Sequence, residues 1–122
     1  MSSVRTTLSG STQGTGIKVS STDATAQGEI VHIHGDTYND SKFDEIYLYA
    51  HNSHSSSVTL TLQWGGLTDP DNIIDISIAA GSFLGVVPGL SIGGSLTVSA
   101  TASVTNKIVL YGYVLAHQLQ AL

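Results

Sequence analysis

The sequence predicts an all-β chain: a single β-sandwich or jelly-roll-like domain of seven to eight antiparallel strands, preceded by an N-terminal arm. Three observations carry this. Residues 43–64, FDEIYLYAHNSHSSSVTLTLQW, hold two strictly alternating runs around a polar turn, the period-two signature of strands with one buried face. From residue 28 onward, short β-branched runs are separated by clusters of Gly, Pro, Asn, Asp and Ser, the rhythm of a sandwich or small barrel. No segment carries a helical stripe of apolar residues. At 122 residues the chain has material for one core, so the expected organisation is an arm over 1–27 and the sandwich domain over 28–122.

In order along the chain, 1–13 is rich in Ser, Thr and Gly and is expected to stay extended or to order against a partner. Residues 16–21 read as a short edge strand, Ile17 and Val19 on one face and Lys18 guarding the edge. The next strand, 29–34, puts Val31 and Ile33 on one side and Ile30, His32 and His34 on the other. The turn-rich stretch 35–42 leads to 43–51, where Ile46, Leu48 and Ala50 oppose Tyr47, Tyr49 and His51. In 57–64, Val58, Leu60, Leu62 and Trp64 oppose Thr59, Thr61 and Gln63, which are expected on the wetter face. Residues 65–72 (GGLTDPDN) form a connection. Strands follow at 73–79 and 82–87, PGLSIGG (88–94) breaks the chain, and strands at 95–102 and 107–118 close it. The last strand is apolar on both faces, so one face belongs to the core and the other needs cover. That second face, Val109, Tyr111, Tyr113 and Leu115, together with Tyr47, Tyr49 and His51, is the candidate intersubunit contact, because tyrosine brings a large apolar body with a polar tip.

Composition narrows the function. Only 11% of residues are charged against 41% hydrophobic, whereas about 25% charge is usual for soluble domains; a large part of the exterior is expected to be covered by other copies or a larger assembly. Four Lys and Arg in all cannot build a phosphate-binding patch, which argues against nucleic acid and against an anionic membrane surface. No apolar run reaches the roughly 18 to 20 residues that span a bilayer, and the N-terminus lacks the apolar centre of a secretory signal. The absence of Cys removes disulfides and thiolate chemistry.

Histidines are the residues that invite chemistry. His32 and His34, at i and i+2, share a strand face about 6.5 to 7 Å apart and would chelate a metal if His51 arrived as a third ligand; a structural or interface role is the favoured reading, with no cofactor expected. Asp69 and Asp71 flank a proline as turn formers do. Asp36, Asp40, Asp44 and Glu45 cluster without the spacing of a calcium loop. There is no G-x-S-x-G elbow, and the Gly-rich segments precede no helix that would complete a phosphate cradle. The chain is therefore expected not to be an enzyme. Trp64 belongs with the core set, the competing idea being a sugar-stacking platform with Tyr47 and Tyr49.

The run DEIYLYAHNSHSSSVTLTLQWGGLTDPDNIIDISIAAGSFLGVVPGLSIGG (44–94), continuing into SLTVSATASVTNKIVLYGYVL (95–115), resembles small structural proteins of tailed bacteriophages. The shared pattern is a D/N-E-x-Y-L-Y-A strand, a V-T-L-T-x-x-W-G-G strand, a D-P-D-N/D loop, an I-x-A-G-S turn, a V-P-G-L turn and a closing strand with Y/S-G-Y/F-V. Within that group, size and all-β character resemble the capsid decoration (cement) proteins. The resemblance implies a non-enzymatic virion component on the outer head surface, made in the host cytoplasm, with the major capsid protein and sister copies in a homotrimer as partners. The alternatives are a fibre or tail-associated module binding host-surface glycans and, more distantly, a cupin-like metalloprotein built on His32 and His34.

Overall fold

Each alternating run finds a neighbour with which to share a buried face, and nine strands result among the described residues. The computed structural model describes residues 2–35 and 42–118. Its strands are β1 (Ser2–Thr7), β2 (Ile17–Val19), β3 (Glu29–Ile33), β4 (Lys42–Asn52), β5 (Val58–Trp64), β6 (Ile73–Ile78), β7 (Phe83–Ile92), β8 (Thr97–Ala102) and β9 (Ile108–Gln118). The described residues contain no helix, and every strand pair is antiparallel. One sheet has the order β1-β9-β4-β7, with β2 also paired to β9; the other has the order β3-β8-β5-β6. The sheets enclose one core, in which Ile46, Leu48 and Ala50 of β4 and Ile108, Leu110 and Val114 of β9 are buried together with Val58, Leu60 and Leu62 of β5 and Val98 and Ala100 of β8. The architecture is an all-β sandwich.

The inward sets of β4, β5 and β9 are those that the alternation predicts; four details differ. Residues 2–7, expected within an arm, form β1, paired to β9 from Ser2↔Gln118 to Thr7↔Tyr113. No side chain from Ser3 to Thr7 is buried, so its backbone ladder holds the strand, and Leu8 behind it is sunk in the core at 1% exposure. In β3 a register shift between Ile30 and His32 turns both Val31 and His32 inward and leaves Ile33 43% exposed. This overturns the expected pairing of Val31 with Ile33, because a bulge resets the alternation. The break expected at Pro88 is absorbed by β7: the register skips Gly89 and Val86 against β4, and β7 is a sheet edge, where proline and bulges are tolerated. Gly89, at φ 102°, supplies the left-handed residue of the first bulge. Finally, Thr61 and Gln63 are buried at 7% and 0%, not wet, because the segment before β3 lies over that face. Gln63 Oε1 accepts from Gly28 N–H (2.9 Å) and from the Ser99 hydroxyl (2.6 Å), and its Nε2 donates to the Ala26 carbonyl (2.8 Å).

Most of the loop expected over 35–42, with Asp36 and Asp40, lies outside the described residues, as does the chain beyond Gln118.

Candidate functional site

The two outer faces of the sandwich differ in kind. That of the β3-β8-β5-β6 sheet carries small polar side chains and is roofed by the chain's own 23–28 segment. That of the β1-β9-β4-β7 sheet carries rings. Register alone assembles it: Tyr47 stands opposite Tyr113, Tyr49 opposite Tyr111, His51 opposite Val109, and Glu45 opposite Leu115. All seven residues picked out as a contact surface therefore lie on this one face. β7 adds Phe83, opposite His51, and among the described residues it is the most exposed aromatic one at 62%.

The rings stack across strands. Tyr47 and Tyr113 lie 4.8 Å apart at 14°, Phe43 and His117 4.8 Å at 22°, and Tyr49 and Phe83 5.9 Å at 3°. Arg5, reaching from β1, places its guanidinium 4.2 Å from the centre of the Tyr113 ring. Since β1 and β4 flank β9 on opposite sides, Tyr113 is held between Arg5 and Tyr47. Such pairs stiffen the surface by about 0.5–1.5 kcal/mol each beyond their burial. A depression of about 300 Å³ opens among Tyr47, Tyr49, Gly85, Val87, Pro88 and Tyr113.

One polar chain crosses this face. The Tyr47 hydroxyl donates to Glu45 Oε2 at 2.5 Å, and His117 Nε2 lies 2.8 Å from Glu45 Oε1. The Tyr47 bond first, and the His117 bond second, hold the Glu45 carboxyl below the usual carboxylate range; the same bond to Glu45 pushes the Tyr47 hydroxyl up. A carboxylate whose pKa is lowered by folding adds stability above the titration of the unfolded chain, and that contribution is lost as pH falls through the folded value. Tyr47→Phe is therefore expected to be less stable than the parent at pH 7, by a margin that narrows as the pH is taken to about 3. Thermal melts across that range check it; a constant margin would assign the effect of Tyr47 to packing alone.

The histidine pair occupies a separate, buried place. His32 and His34 are 6% and 3% exposed. The Ser9 amide N–H donates to His32 Nδ1 at 3.0 Å, so the ring proton sits on Nε2, which faces Asp44 Oδ2 at 2.6 Å. Asp44 Oδ1 lies 4.0 Å from His34 Nε2. His51, the expected third metal donor, is on the opposite side of β4 and does not join this cluster. A proton on His32 Nε2 also withholds the lone pair that a metal beside Asp44 would need, and among the described residues no trio of His, Asp or Glu has metal-holding geometry. Ser9 Oγ, 3.1 Å from His32 Nδ1, completes a Ser–His–Asp row, yet the surrounding amides are spent. Ile33 N–H binds Ser9 Oγ, Gly10 N–H binds the Val31 carbonyl, and His34 N–H binds that of Leu96, which leaves no pair of them to stabilise an oxyanion. The row is a clasp that fixes the turn after β1. Gly10 is part of it, because a Cβ there would stand 2.1 Å from the Ile30 carbonyl oxygen.

Comparison with protein-family models, with curated proteins and with solved structures finds no match.

Function is thus to be read from the two places just described, of which the clasp is closed and the ring-covered face is open. Of the four carboxylates expected to cluster, the two within the described residues point apart: Asp44 inward to His32, Glu45 outward to Tyr47. Trp64 is half-buried at the core's rim, its indole N–H donating to the Ser91 carbonyl at 3.1 Å. Phe83, Gly85, Arg5 and Ser9 escape a sequence reading. SFLGVV does not alternate, and the others act through strands far away in the chain.

Proposed function

We propose that this chain is a non-enzymatic virion structural protein of the capsid decoration type, a jelly-roll domain that binds the outer surface of a phage head and tightens contacts between major capsid subunits as a homotrimer. From β2 to β9 the chain crosses between the sheets at every step except the β5–β6 hairpin, giving the orders 2-9-4-7 and 3-8-5-6, a succession that supports the jelly-roll reading. The observation that carries the function is the ring-covered face of the β1-β9-β4-β7 sheet. An apolar surface rimmed by polar groups is a contact surface, and repetition over many copies turns modest affinities into a large gain in shell stability. Glycan binding is the weaker reading, because a sugar stacks on free ring faces and those of Tyr113 are already covered by Tyr47 and Arg5.

The test is to add the purified protein to empty phage heads and to measure co-sedimentation and the heat resistance of the shells. Binding with raised heat resistance is expected, and Tyr111→Glu, at an outward and 37% exposed position, is expected to abolish both. A protein that ignores heads but is retained by immobilised glycans would overturn the proposal in favour of a fibre module.

A further inference from the structure

β1 keeps its place almost without burial. Among the described residues it pairs with β9 alone, at the rim of its sheet. Its side chains from Ser3 to Thr7 are all exposed, Val4 to 61%. The strand therefore rests on a backbone ladder and on Arg5 over the Tyr113 ring. The next three residues are the reverse. Leu8 is 1% exposed, Ser9 reaches His32 Nδ1 with both its amide and its hydroxyl, and Gly10 N–H donates to the Val31 carbonyl at 3.0 Å. Weak and strong attachment thus meet between Thr7 and Leu8. Segments that bury few apolar groups open at far lower cost than the core, and a terminal segment stays ordered where something ties it down.

We infer that β1 is a removable cover for the β9 edge, lifting away as a unit while the sandwich stays folded, with the clasp at Leu8–Gly10 as the point where the opening stops. β9 has no need of β1 to stay in place. β4 pairs with it along its whole length, from Lys42↔Gln118 to Asn52↔Ile108, and Val114 is sunk in the core at 0% exposure. On the side that β1 occupies, β2 covers β9 at Ile108–Leu110 alone. Lifting β1 therefore uncovers the backbone edge from Tyr113 to Gln118 and takes Arg5 off the Tyr113 ring. An edge of that kind is a template for an incoming extended strand, so the closed form hides a pairing site that the open form presents.

Amide exchange of the native protein, followed residue by residue, tests this. β9 lies between β1 and β4, so successive amides of 113–118 point alternately to one and the other. The amides of β1 and the alternate β9 amides that donate to it are expected to exchange together, roughly 100-fold or more faster than those of Leu48 and Leu110. The intervening β9 amides, and those of Ser9 and Gly10, are expected to stay slow. The double variant Arg5→Pro/Thr6→Pro holds the strand open, because successive N–H groups face opposite sides and one of the two lost donors faced β9. Its thermal midpoint is expected within about 5 °C of the parent, as for a change outside the cooperative core. Exchange of β1 at the rate of the core, or fast exchange of every amide in 113–118, overturns the removable cover: the first makes β1 part of the sandwich, the second makes the whole sheet end fray. A larger fall in the midpoint of the double variant overturns it as well.

Discussion

His32→Ala is expected to lower stability by about 3–5 kcal/mol, the joint cost of losing a hydrogen bond to the Asp44 carboxyl and leaving the Ser9 amide without its acceptor. The thermal midpoint should fall by roughly 10–20 °C. The size follows from what is stranded. Asp44, with its side chain 13% exposed, loses the 2.6 Å hydrogen bond from Nε2, and the Ser9 amide and hydroxyl both lose Nδ1. An orphaned buried group costs its desolvation as well as the bond. The damage should be local before it is global, since the clasp ties residues 8–10 to β3 and β4. Amide exchange at Ser9 and Gly10 is expected to accelerate well before that of Leu48 or Leu110 in the core. Asp44→Asn serves as the graded control: its amide oxygen still accepts from His32 Nε2, and a loss of only about 1–2 kcal/mol is expected. A His32→Ala loss below about 1 kcal/mol would remove the clasp from the account of how the N-terminal strand is fixed.

The same residues show where a sequence stops being legible. Ile46, Leu48 and Ala50, or Ile108 and Leu110, declare their face because burial follows the strand's own period, a local property. His32 does not, because a one-residue bulge in β3 moves it to the inside, and nothing in EIVHIH marks the bulge. β1 is invisible for another reason: its side chains from Ser3 to Thr7 are all exposed, and its stability is a backbone ladder against a strand more than a hundred residues away. Conversely, the aromatic face was readable, since a closing strand that is apolar on both sides has to spend one side outside its own core. Its detailed form was not. The stacking of Tyr113 between Tyr47 and Arg5 depends on which strands flank β9, and the depression depends on Gly85 lying beside Tyr49.

Gln63→Leu should have the second largest effect, about 2–4 kcal/mol, although it adds an apolar side chain of similar size to a fully buried site. The hydrophobic gain is small there, because Gln63 lies among polar partners. Leu would strand the Gly28 N–H, the Ala26 carbonyl and the Ser99 hydroxyl at once, each worth about 1–3 kcal/mol when buried and unpaired, with water re-entering under the loosened loop to recover part of the sum. Adding Ser99→Ala removes one orphan, so the double variant is expected to be more stable than Gln63→Leu alone, a sign reversal that additive side-chain deletions would not give. The location matters as much as the size. Protease cleavage within 22–28 should rise while any self-association is unchanged, because this side chain secures the roof over one sheet and the rings proposed as the contact surface lie on the other. A Gln63→Leu chain that is as stable as the parent would mean that the 23–28 segment holds itself over the β3-β8-β5-β6 sheet. A chain that lost self-association along with its roof would couple the two faces, and the open face could then no longer be treated as an independent contact surface.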